Sequence, residues 1–178
     1  ITGDIFMDKR IFEKLDFMET HPKVASYSFY TNFTVLGPDK VRRLTELEKL
    51  KELSISVYGH DEDSFVKIAV STPKVFGRLV DNLQALHEVL DSAKPDIQIG
   101  WRTYGSFRMN GKESNDLTEV LAHLKGSHDV PVNITREYDN WGGMITEEDV
   151  RGLDIRVNDE KLVPKNGACS LIFYKMQV

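Results

Sequence analysis

A chain of 178 residues, 40% hydrophobic and 29% charged, can bury a core of its own, and its formal net charge of -5 argues against a general nucleic-acid binder. No stretch approaches the ~20 apolar residues of a membrane-spanning helix. The one cysteine, Cys169, excludes an internal disulfide framework and a cysteine-only metal site, and it fits a reducing, cytoplasmic setting.

Residues 1–4, Ile-Thr-Gly-Asp, read as the end of a strand stub. Ile11, Phe12, Leu15 and Met18 recur at the spacing of one helix face, which predicts a helix over 9–19. Val24 to Tyr30 alternates and is rich in aromatics, as a strand requires. After Gly37-Pro38-Asp39, the spacing of Val41, Leu44, Leu47 and Leu50 predicts a second helix, and Leu53 to Tyr58 a strand stopped by Gly59. Asp61-Glu62-Asp63-Ser64 suits the start of a short helix ending near Val70. Thr72-Pro73 reads as an N-cap with proline at the first helical position, opening a helix through Leu90. Ile97 to Tyr104 follows as a strand with Ile97, Ile99 and Trp101 on one side. Asn115-Asp116 opens a helix that stops near Gly126, and Val130 to Thr135 is a further strand. Beyond Trp141-Gly142-Gly143 the pattern loosens, until an apolar run from Leu171 to Val178.

Strands alternating with helices of this length predict an α/β fold with a mainly parallel sheet, as a partial (β/α) TIM-like barrel, with an open doubly wound sheet as the second choice. In either, ligands belong at the C-terminal ends of the strands. That rule selects Gly3 and Asp4, Thr31 and Asn32, Ser56 through His60, Arg102 through Tyr104, and Arg136 through Trp141. Such residues also dominate loops for backbone reasons alone.

Several of these segments resemble motifs of radical SAM (S-adenosylmethionine) enzymes. Thr2-Gly3-Asp4-Ile5-Phe6-Met7 is similar to that family's Gly-Gly-Glu-Pro stretch, with Asp in the place of Glu. Tyr30 to Leu36 resembles its Thr-Asn-Gly segment, and Leu53 to Asp61 its following strand and acidic helix start. Asn166-Gly167-Ala168-Cys169 is similar to the entry of a SPASM extension. The resemblance implies a barrel portion over 1–165 and the start of a SPASM-like extension over 166–178. It implies that Gly3 and Asp4 lie by the amino group of S-adenosylmethionine, that Ser56 approaches its ribose or carboxylate, and that Arg102 offers a fixed charge to the carboxylate. Asn32 would hold the loop beside that cofactor, and Cys169 would ligate an auxiliary 4Fe–4S cluster. The family's Cys-x-x-x-Cys-x-x-Cys loop, which holds the catalytic 4Fe–4S cluster, occurs nowhere in the chain. An iron–sulfur oxidoreductase is therefore expected of a longer parent protein, with this chain inactive alone and carrying no bound cofactor, and its substrate a small molecule or peptide.

The alternative from a different class is a non-catalytic α/β binding module. Both ends read as cuts, which predicts exposed strand edges and a homodimer formed through them. The histidines look scattered: His87 reads as packing or surface, and His123 and His128 straddle a helix end. His60, Asp61 and Asp63 are the one set resembling a hydrolase metal site, and helix capping explains those carboxylates more simply. No Gly-x-Ser-x-Gly elbow, Walker loop or dinucleotide glycine fingerprint is present.

Overall fold

The computed structural model describes residues 4–109, 114–139 and 145–158. A 3-10 turn at Ile5–Met7 precedes helix α1 (Ile11–Thr20). Strands and helices then alternate as β1 (Tyr27–Thr31), α2 (Pro38–Thr45), β2 (Leu50–Tyr58), α3 (Glu62–Ile68), α4 (Pro73–Val89), β3 (Asp96–Arg102), α5 (Asp116–His128) and β4 (Val132–Thr135). Two short strands, β5 (Glu137–Asp139) and β6 (Arg156–Asn158), pair in parallel with each other, apart from the main sheet. The fold is α/β.

The main sheet is parallel throughout and ordered β1-β2-β3-β4, with no reversal of strand order. Parallel neighbours need a crossover, and right-handed crossovers taken always in one direction place every helix on the same side. The packing agrees. Leu53, Ile55 and Val57 of β2 align with Ile97, Ile99 and Trp101 of β3, and Val132 lies beside Ile99. These side chains share one core with Leu44 of α2, Leu79, Leu83 and Leu86 of α4, and Leu117, Leu121 and Leu124 of α5.

The intervening strand positions are of another character. Ser28, Glu52 and Asp96 lie in one row, Tyr30, Ser54 and Gln98 in the next, then Ser56, Gly100 and Asn133, and finally Tyr58, Arg102 and Thr135. Ser56, Gln98 and Arg102 are half-buried, while Asn133 and Thr135 are exposed. A parallel sheet ordinarily carries apolar side chains on both faces because helices cover both. Here one face is apolar and helix-covered, and the other is polar.

Helix starts follow local chemistry. Asp61 caps α3 by accepting from the Ser64 N–H at 2.8 Å, and Asn115 caps α5 by accepting from Leu117 and Thr118. Thr72 occupies the N-cap position of α4 but makes no capping bond through its side chain, so Pro73 alone marks that start. Two ends depart from expectation. α2 stops at Thr45 instead of reaching Leu50, because Leu50 is already paired with Tyr27 in the sheet. The Glu19 carboxylate fixes that turn by accepting from the N–H groups of Glu48 and Lys49. α5 runs through Gly126 to His128 and ends on Asp129 in the left-handed region, at φ 53°. A helical glycine costs only ~1 kcal/mol relative to alanine, and His128 is anchored across to α4, so the helix continues.

Candidate functional site

The polar face reaches its greatest chemical density at the C-terminal ends of β2 and β3. Ser56 sits beside Gly100, and Tyr58 beside Arg102. With no side chain at Gly100, the Arg102 guanidinium lies back beside it, Nη1 3.9 Å from where a Cβ would stand. The Arg102 guanidinium lies over the Tyr58 ring, 5.7 Å from its centroid. It has no carboxylate partner among the described residues. Asp96 begins the same strand, but at ~3.3 Å per residue it is about 20 Å away, well past the ~8 Å screening length of physiological salt. Among the described residues Arg102 is thus a positive charge without a carboxylate partner on this face.

Tyr138 adds a second donor. Its hydroxyl oxygen is buried and finds no hydrogen-bond partner among the described residues. Burial holds its pKa far above the ordinary tyrosine value, Tyr58 adds to the shift, Arg102 opposes it and Tyr104 adds again, which puts each of those three within electrostatic reach of the Tyr138 hydroxyl. An orphaned buried hydroxyl costs about 1–3 kcal/mol. Tyr138→Phe is therefore expected to leave the folded protein as stable as before, or up to about 1 kcal/mol more stable, in a thermal melt. A loss of more than 1 kcal/mol would show that the hydroxyl already has a use in the fold.

The β1–α2 loop forms the neighbouring wall. Asp4 accepts from the Thr31 hydroxyl and the Asn32 N–H, both at 2.7 Å, and from the Phe6 N–H at 2.9 Å. Phe33 is fully buried with φ 60°, an uncommon conformation for a bulky residue. It is held there by its own N–H on the Thr31 hydroxyl and by Asn82, which donates to the Phe33 carbonyl at 2.7 Å. Between this loop and α3 lies a pocket of about 260 Å³, shared by Asn32 and Tyr58.

Around the β2–α3 turn, His60 Nδ1 lies 2.8 Å from the buried Thr103 hydroxyl, and its ring stacks on Phe107 at 4.5 Å. Asp61 is spent on its helix cap. Burial works to raise its pKa, and the Ser64 hydroxyl and N–H together with His60 outweigh this and lower it. Tyr104, also nearby, is shifted up by burial and then by Asp61, Asp63 and Asp154. Among the described residues no group of three or more His, Cys, Asp or Glu converges as metal ligands.

Of the residues singled out in the sequence, Asp4 and Asn32 are brought together in the loop, and Ser56 and Arg102 share the polar face, two residue pairs apart in register. Gly3 and Cys169 lie outside the described residues, as does the 166–178 segment. Tyr58 and Tyr138 lie within the segments selected at the strand ends, without an individual role assigned to either. For Tyr58 the signal was present, because Glu52-Leu53-Ser54-Ile55-Ser56-Val57-Tyr58 alternates where a strand covered on both faces would not. The histidines are less scattered than they look. His128 bridges α5 to α4, 2.8 Å from Asp91 and 3.0 Å from His87, and His87 stacks on His123.

The donors present fit a small ligand carrying a carboxylate. They do not fit an iron–sulfur cluster, since a single thiol cannot supply the several that a 4Fe–4S cluster requires. In comparisons with known proteins, no family model matches the chain and no curated protein matches it significantly. No described helix is long and apolar enough to cross a membrane.

Proposed function

We propose that the chain forms the S-adenosylmethionine-holding side of a radical SAM enzyme, a partial (β/α) barrel whose inner wall is the polar sheet face. The supporting observation is the combination of sequential parallel strand order with one polar face that ends in unsatisfied donors. In this reading Arg102 and Tyr138 donate to the ligand carboxylate, charge-assisted in the case of Arg102. Ser56 serves the carboxylate or ribose, and Asn32 lies at the adjoining wall. Asp4 already accepts three hydrogen bonds, so a ligand amine would have to share its remaining capacity. Bound S-adenosylmethionine would supply the carbon–sulfur bond whose reductive cleavage starts radical chemistry. With a single thiol in the chain, the proposal for these residues is confined to holding that ligand in the cytoplasm.

The same cysteine count favours a second reading, a non-catalytic α/β module that uses this face to bind a ligand. Equilibrium dialysis with S-adenosylmethionine separates the two. Saturable binding, competed by S-adenosylhomocysteine, supports the first. A folded chain that retains neither molecule overturns it.

Each outer strand of the main sheet, β1 and β4, has a single strand neighbour among the described residues. Such edges favour pairing with another chain, so self-association is expected. A strictly monomeric mass by light scattering over a wide concentration range would contradict it.

A further inference from the structure

The pocket between the β1–α2 loop and α3 has a lining distinct from the anion donors. Phe65, Ile68 and Val75 supply apolar surface, while Asn32, Tyr58 and Ser71 supply polar groups, and no charged residue lines it among the described residues. Asn32 Oδ1 accepts from the Thr34 N–H at 3.1 Å and the Thr34 hydroxyl at 2.7 Å. A backbone N–H can only donate, so the atom facing it is the oxygen, and Nδ2 is the free end of the amide. Among the described residues neither that Nδ2, nor the Tyr58 hydroxyl, nor the Ser71 hydroxyl has a hydrogen-bond partner. The loop that presents Asn32 is locked by the buried left-handed Phe33 and by the Asn82 clamp. An apolar floor with a few unengaged polar groups on a rigid frame is the composition of a small-molecule site.

We propose that this pocket is a subsite for an uncharged, ring-sized group bearing a carbonyl or amide oxygen. The inference rests on the reading that this edge of the sheet is the ligand side, and it extends that reading from the cofactor to the substrate. The volume of about 260 Å³ falls just under the ~300 Å³ at which pockets begin to hold whole drug-sized ligands. A single substituted ring fits, since a cavity of ~150 Å³ already holds benzene. The absence of charge selects against carboxylates and ammonium groups, which lose hydration on entering an apolar site without a partner. The free Asn32 Nδ2 selects for an acceptor oxygen, and the Tyr58 and Ser71 hydroxyls can serve either role. Tyr58 belongs to both this pocket and the polar face, so a substrate here would adjoin the proposed cofactor position.

The test is a titration of the full chain with benzamide, benzoate and benzylamine, followed by amide NMR. Benzamide should shift Asn32, Thr34 and Ser71 saturably, with the two charged analogues at least tenfold weaker. Asn32→Asp keeps an oxygen for Thr34 and replaces the donor by an acceptor, so benzamide should weaken at least tenfold. Ile68→Phe fills the pocket from α3 without touching the hydrogen bonds of the loop, and should give the same loss if Asn32→Asp perturbs the fold. Equal binding of all three probes, shifts confined to another part of the molecule, or unchanged benzamide binding in both variants would overturn the proposal. The cofactor reading fails separately. Loss of S-adenosylmethionine binding with benzamide binding intact contradicts that reading alone, and the reverse contradicts the pocket alone.

Discussion

Replacing Gly59 by alanine is expected to destabilise the protein by about 3 kcal/mol or more, the sum of left-handed backbone strain and overpacking. Gly59 has φ 72°, and a Cβ placed on it would stand 2.4 Å from the Phe65 nitrogen and 2.7 Å from the Phe65 Cα. Those are backbone atoms of α3, so no side-chain rotation relieves the clash. The residue is also where two strands and a helix are tied together: its N–H donates to the Arg102 carbonyl at 2.8 Å, and its carbonyl accepts from the Trp101 indole. Moving α3 away to make room would therefore disturb the ends of both β2 and β3. Urea unfolding is the measurement. A shift worth less than 1 kcal/mol at unchanged slope would mean that the β2–α3 turn is looser than its geometry implies.

The second large effect is on binding. Arg102→Ala should weaken S-adenosylmethionine by about 10- to 150-fold, because a hydrogen bond to a charged group is worth about 1.5–3 kcal/mol. Arg102→Lys should recover only part of this, since a point charge lacks the planar fork that matches a carboxylate. Arg102 has no ion pair to lose among the described residues, so the alanine variant should fold normally. If the ligand also satisfies Tyr138, the phenylalanine variant binds more weakly while melting no lower. That opposite movement of affinity and stability is the signature of a hydroxyl kept for a ligand.

What was legible in the sequence was local. The capping of α3 by Asp61 and of α5 by Asn115 depends on residues within one turn, and the side assignment of Ile97, Ile99 and Trp101 depends on a period of two. The α/β class followed from the alternation of those periods. What failed was decided elsewhere in the chain. Leu50 fits a helical spacing with Val41, Leu44 and Leu47, but Tyr27 claims it for the sheet, and Glu19 ties down the turn before it. The Asp91–His128–His87 chain joins the ends of two helices that only the parallel crossover brings together. β5 and β6 were invisible because strands this short carry no periodicity. Of the site, the polar row of β2 could have been read and Arg102 was. The orphaned Tyr138 hydroxyl could not, because its lack of a partner is a property of the packed molecule.

The most direct measurement is amide NMR of the isotope-labelled chain titrated with S-adenosylmethionine. The account predicts saturable shifts at Ser56, Gly100 and Arg102, on the polar face at the C-terminal ends of β2 and β3, and at Tyr138 of β5. Shifts restricted to the helical layer, or none in a folded chain, would contradict the claim that this face is the ligand side.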